Sequence, residues 1–182
     1  ITAPAEGMCR HKKQSGGSGQ FGGVHVRVEP KGRGEGFEFI DAIKGGVIPG
    51  AFIPAVETGV RQALADGIVA GYPVEDVKVT VYDGKTHPVD GKEIAFVSAA
   101  KKATIQAIRN AKPIVLEPIV TIEIAIPQSH IGDLAGDLSG RRGHVTGTGE
   151  ESHGMASLSG EVWLSEIAHY QSRLKSLTSG QG

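Results

Sequence analysis

The chain has 182 residues and a formal net charge of −1, with 39% hydrophobic and 5% aromatic residues. That length holds one large domain or two small ones, and the near-neutral charge excludes a protein that grips polyanions by bulk charge alone. No apolar stretch reaches the length of a membrane span, the start lacks a signal-peptide pattern, and the lone Cys9 has no internal disulfide partner, so a reducing, cytoplasmic setting is expected.

Charge is segregated along the chain. Residues 1–34 hold Arg10, Lys12, Lys13, Arg27, Lys31 and Arg33 against Glu6 and Glu29. Inside that stretch runs Lys12-Lys13-Gln14-Ser15-Gly16-Gly17-Ser18-Gly19-Gln20-Phe21-Gly22, two cations leading into a glycine-rich segment. Glycines let a backbone approach a partner with no Cβ in the way, and a basic, glycine-rich loop beside a strand suits an anionic partner. On composition alone a flexible linker is the favoured reading.

Residues 24–30 alternate Val24, Val26, Val28 with His25, Arg27, Glu29, which predicts a half-buried strand. A second strand is expected at Phe37–Asp41. Ile53, Val56, Val60, Ala63 and Leu64 recur at helical spacing, so 50–66 reads as an amphipathic helix ending near Gly67. Val77–Tyr82 is a third strand, running into the polar loop Asp83–Val89. Asp90 with Glu93 resembles a capping box, followed by a helix over 91–111. A boundary falls near Asn110-Ala111-Lys112-Pro113. Beyond it, Pro118–Ile126 alternates as a strand, and Ile131, Leu134 and Leu138 mark a short helix closed by Arg141-Arg142-Gly143. Strands follow at 143–148 and 156–164. Ser165 is expected to cap a last helix with Ile167, Tyr170, Leu174 and Leu177 as its stripe. The order β-α-β-β-α is one strand short of a ferredoxin-like unit. Both halves are α+β.

Seven histidines, with no pair at His-x-x-His or His-x-x-x-His spacing, give no expectation of a metal site. The glycine-rich run meets neither the Walker pattern, which needs a Lys after its last glycine, nor the dinucleotide fingerprint, which needs a helix where a strand follows here. A small-molecule kinase-like phosphate-binding domain with a different loop is the reading from another class. His87 in the second polar loop is an ordinary surface residue or a ring able to stack on a base and hydrogen-bond to ribose or phosphate. Asp76–Asp83 and Asp90–Glu93 most simply cap and solvate element ends. Arg141-Arg142-Gly143 is a helix C-terminus or a phosphate contact.

In this order the segments resemble the C-terminal part of elongation factor G, the translocation GTPase of the ribosome. The likeness rests on Lys12–Gly22, Gly36-Phe37-Glu38-Phe39, Ile43–Pro49, Ile53-Pro54-Ala55-Val56, Ala70–Val74, Val77-Lys78-Val79-Thr80 and Tyr82-Asp83-Gly84 leading to His87 and Val89-Asp90. It continues with Leu116-Glu117-Pro118-Ile119, Gly132-Asp133, Gly136-Asp137-Leu138 and Arg141-Arg142-Gly143. The resemblance implies a junction over 1–6 and a tip domain over 7–116, domain IV, with a ribosomal-protein-S5-domain-2-like fold. It implies domain V over 117–182, ferredoxin-like as βαββα(β) and lacking its last strand. On this basis the chain is a fragment without a catalytic site, and GTP and Mg belong to an upstream domain of a GTP-hydrolysing parent.

The implied partners are the ribosome, ribosomal RNA, tRNA and mRNA, met as a monomer. By position the RNA-binding tip comprises Ser15, Gly16, Gly17, Ser18, Gly19, Gln20, Phe21 and His87, supported by Lys12, Lys13 and Lys85. Arg141 and Arg142 are the candidate RNA contact of the second domain. Ser18 stands where family members often have Arg, Lys85-Thr86-His87-Pro88 where Ser-Tyr-His-Asp is frequent, and Trp163 where Pro is usual. The end, Thr178-Ser179-Gly180-Gln181-Gly182, has Gln where an Arg before the last Gly is customary. These departures point toward a divergent paralogue, with ribosome recycling or ribosomal protection as the alternative output.

Overall fold

The computed structural model describes residues 1–14, 17–150 and 152–181 and divides into two units, Ile1–Val115 and Leu116–Gly182. In chain order the first holds β1 (Ala5–Lys13), β2 (Gln20–Pro30), β3 (Glu38–Asp41), α1 (Ile53–Asp66), β4 (Val77–Lys85) and α2 (Glu93–Asn110). Its sheet order is β1-β2-β4-β3, antiparallel except for the parallel β3–β4 pair.

One face of that sheet is apolar and carries the helices. Val24, Val26 and Val28 of β2 and Val77, Val79 and Val81 of β4 are fully buried. They form one core with Val56 and Val60 of α1 and Phe96, Ala99, Ala100, Ala103 and Ala107 of α2. Phe52, in the short turn before α1, stacks on Phe96 at 4.8 Å between ring centroids. The alanines let α2 lie close to the strands. At Gly7 of β1 an added Cβ would run into the Ala103 carbonyl and lie 2.6 Å from the Ala107 nitrogen.

That close approach explains why β1 is absent from the sequence-based expectations. Its inward positions are Ala5, Gly7, Cys9 and His11, too small or too polar to print a period of two. Within residues 1–6, expected as a junction, Ala5 and Glu6 are already strand, and Ile1 and Ala5 pack against the core. Two terminal readings also change. Lys92, not Asp90, precedes α2, and no side chain caps it. The last helix does not start from Ser165: a short 3-10 turn spans Leu164–Ile167, and α4 (Tyr170–Leu177) begins after His169, whose φ is 62°.

The second unit holds β5 (Ile119–Pro127), α3 (Ile131–Gly140), β6 (His144–Glu150), β7 (Met155–Trp163) and α4, with antiparallel sheet order β5-β7-β6. Ile126, Leu158, Leu134, Leu138 and Tyr170 make its core. The chain is therefore α+β in both units, as its patterning implies.

Candidate nucleic-acid interface

The ends of three strands define one end of the first unit. β1 finishes at Lys13 opposite Gln20, where β2 begins, and Gly23 of β2 pairs with Lys85, where β4 finishes. The loop after β1 and the loop after β4 therefore leave from the same end. They are joined by main chain: the Phe21 N–H donates to the Asp90 carbonyl at 2.7 Å, and Phe21 bridges to Gly91 in parallel. The Lys92 ammonium donates to the Ser18 hydroxyl. An alanine Cβ at Gly19 would enter the Asp90 carboxylate, so a larger residue there requires that side chain to move aside.

His87 organises the second loop. Its Nδ1 accepts from the N–H groups of Asp90 (3.1 Å) and Val89 (3.3 Å), and its carbonyl accepts from the Gly91 N–H (2.9 Å). A nitrogen that accepts two amide hydrogens carries none of its own, so the neutral ring holds its hydrogen at Nε2. The side chain is 49% exposed. The ring thus presents a hydrogen-bond donor to whatever approaches. Phe21 lies beside it, with ring centroids 6.0 Å apart and planes tilted by 55°. Gln20 pairs with the His11 Nε2 through its Oε1 at 3.1 Å, the imidazole donating.

The structure therefore brings together Gly17, Ser18, Gly19, Gln20, Phe21 and His87, with Lys12, Lys13 and Lys85 exposed on the adjoining strand ends. Ser15 and Gly16 lie outside the described residues. Asp90, Gly91 and Lys92 join this group although sequence reasoning spent Asp90 on a helix cap. Their signal is tertiary: an added Cβ at Gly91 would sit 2.6 Å from the Thr86 hydroxyl and 2.8 Å from the His87 carbonyl.

Arg141 and Arg142 are used differently, inside the second unit. The Gly143 N–H closes α3 on the Leu138 carbonyl at 2.8 Å, with Arg142 at φ 60°. Arg141 binds Asp137 at 2.9 Å and the Glu166 carbonyl at 3.0 Å, and its guanidinium lies 5.0 Å from the centre of the Tyr170 ring. Arg142 binds Glu166 at 2.8 Å and Glu117 at 3.5 Å, over Trp163. Asp137 also takes Arg173 at 2.9 Å. Burial pushes the Asp137 carboxyl up, but the hydrogen bonds from Arg141 and Arg173 outweigh it and hold it below the ordinary carboxylate range. Burial first, then the Asp137 charge, pushes the Tyr170 phenol up to about 12.

Two α+β units, the first ending in paired loops and strand-end cations, define a modular α+β protein with one glycine-rich, cation-flanked end. Residues 1–112 match the family described as "Elongation factor G, domain IV", and residues 114–182 match "Elongation factor G C-terminus". The chain belongs to the elongation factor G family. It is 46% identical over 182 residues to an "Elongation factor G-like protein" of Thermotoga maritima, covering all of this chain and 27% of that protein. A crystal structure of a protein from Thermus thermophilus matches the whole chain with a TM-score of 0.86 and 39% identity, again over 27% of its own length. The chain thus spans about a quarter of the relatives it matches. Family membership replaces the kinase-like reading of the glycine-rich run.

Proposed function

We propose that this chain is the ribosome-contacting arm of a cytoplasmic translation factor that promotes movement of tRNA and mRNA, with the end of the first unit touching RNA in the decoding region. The observation that carries this reading is the convergence of Gln20, Phe21 and His87 on one end, held by the Phe21–Asp90 main-chain bond. The work is positioning, with no bond made or broken by these residues. Glycines at 17 and 19 keep the first loop narrow enough for an RNA groove. The His87 Nε2–H and the Gln20 amide hydrogens suit phosphate, ribose or base-edge oxygens of any sequence. Lys12, Lys13 and Lys85 offset phosphate repulsion. GTP and Mg²⁺ serve another part of the full-length protein, which acts as a monomer.

Arg142, half exposed at the edge of its ion-pair cluster, is the better RNA candidate of the second unit; Arg141 serves the fold. One observation favours a divergent paralogue with a recycling or protective output: Ser18, where the family often has Arg, pairs with Lys92 of the same chain at the surface. Both readings share the arm.

Replacing His87 with Ala in the full-length protein tests the assignment. Loss of one hydrogen bond in a tight site is expected to slow single-round translocation by about ten-fold, with GTP hydrolysis on ribosomes nearly unchanged. Unaltered translocation refutes the role given to this end.

A further inference from the structure

The face of the first sheet that lies opposite α1 and α2 carries a charge pattern that the loops do not explain. Side chains alternate across a strand, and Gly7, Gly22 and Gly84 have their Cβ positions toward α2 or the buried Ile48. Glu6, Met8, Arg10 and Lys12 of β1, Phe21, Gly23, His25, Arg27 and Glu29 of β2, and Lys78, Thr80, Tyr82 and Lys85 of β4 therefore occupy the open face. Tyr82 and Asp83 share it through the bulge opposite His25 and Val26. Met8 is 59% exposed there.

This face is electrically divided. In the half away from the loops every cation has a carboxylate: Arg27 with Glu6 at 2.9 Å, Lys78 with Glu29 at 2.9 Å, Lys31 with Glu38 at 3.2 Å. In the half next to the loops, Arg10, Lys12 and Lys85 have no ion-pair partner among the described residues. The one acid in that half, Asp83, accepts from the Gly84 N–H at 2.7 Å. Register fixes the arrangement. Arg10 and Lys85 flank Gly23 on neighbouring strands, and Lys12 flanks Phe21, whose ring lies beside His87. Strands about 4.8 Å apart put Arg10 and Lys85 about 10 Å from each other, and Lys12 lies about 7 Å further along β1.

We infer that Lys12, Arg10 and Lys85 form a phosphate platform on the open sheet face, which carries the backbone of an RNA strand away from the Phe21–His87 end and down the sheet. The occupant is RNA because three cations, Lys12 and Arg10 along β1 and Lys85 across β2 from Arg10, lie beside an aromatic pair, the pairing of phosphate contacts with a stacking surface that nucleic acids use. The ion pairs beyond mark where the track stops. This inference rests on the proposed contact with RNA and extends it to a surface outside the loops.

The test uses a short labelled RNA hairpin and a poly-glutamate peptide, with binding to the protein followed by anisotropy across a salt series. Variants are Arg10→Ala/Lys85→Ala, the control Lys78→Ala from the neutralised half, and His87→Ala. The double variant should weaken hairpin binding by about ten-fold near 0.1 M salt and flatten the log–log salt slope by about 1.5, the share of two phosphates. Lys78→Ala should change neither, and all variants should keep the parent's thermal melt. The inference is overturned if the parent does not bind the hairpin, if the slope is unchanged in the double variant, or if poly-glutamate binds as well and loses as much. If His87→Ala leaves translocation intact while the double variant still flattens the slope, the platform stands and the loop assignment fails.

Discussion

Cations of the two units are put to opposite uses. At the loop end of the first unit, Arg10, Lys12, Lys13 and Lys85 have no carboxylate within ion-pairing distance among the described residues, whereas Arg141, Arg142 and Arg173 of the second are each tied to Asp137, Glu166 or Glu117. The sequence around both sets looks alike, basic pairs beside glycine. What separates them is whether the fold delivers acids to the same place. A charge with nothing to neutralise it internally is available to a partner; Arg141, bound to both Asp137 and the Glu166 carbonyl, holds a helix end.

The contrast is broken most severely by Gly7→Val. The new side chain meets the backbone of α2, and the cost of displacing packed backbone is about 3 kcal/mol. Urea unfolding should show the first unit lost first, with RNA binding. Next comes Asp137→Ala in the second unit. It leaves Arg141 and Arg173 without their shared acceptor, a loss of about 2 kcal/mol after discounting solvent screening. The second unit should melt earlier while hairpin affinity stays as it was. A smaller effect is expected for Gly19→Ala, whose Cβ enters the Asp90 carboxylate. Translocation should slow about three-fold, and Asp90→Ala in the same protein should restore it, since the two changes couple through contact.

Acid gives the mildest separation. The Asp137 pKa is depressed by folding, so its contribution is complete above the unfolded value of about 3.9 and is lost as pH falls through the lower folded value. As pH falls below about 4, the Asp137→Ala variant should lose less stability than the parent. A parallel decline contradicts the assignment.

Most of the architecture was legible because the apolar period was strong. Val24, Val26, Val28 and Val77, Val79, Val81 declare two central strands, and the stripe from Ile53 to Leu64 declares α1. β1 was not legible, since a helix lying on a strand asks for Gly7 and Ala5 there, and such residues carry no pattern. The region of the site was visible in Lys12–Gly22 and His87. Its clasp was not. Asp90 beside Glu93 reads as a cap by spacing, and only the tertiary fold gives its carbonyl to Phe21 and its carboxylate the space left by Gly19.

The most direct test is to place a photo-reactive side chain at Gln20, and separately at His87, in the full-length protein bound to ribosomes. The expected result is crosslinking from both positions to the same short RNA segment. Crosslinks that reach only protein, or that fall on distant RNA from the two positions, contradict a shared RNA-contacting end.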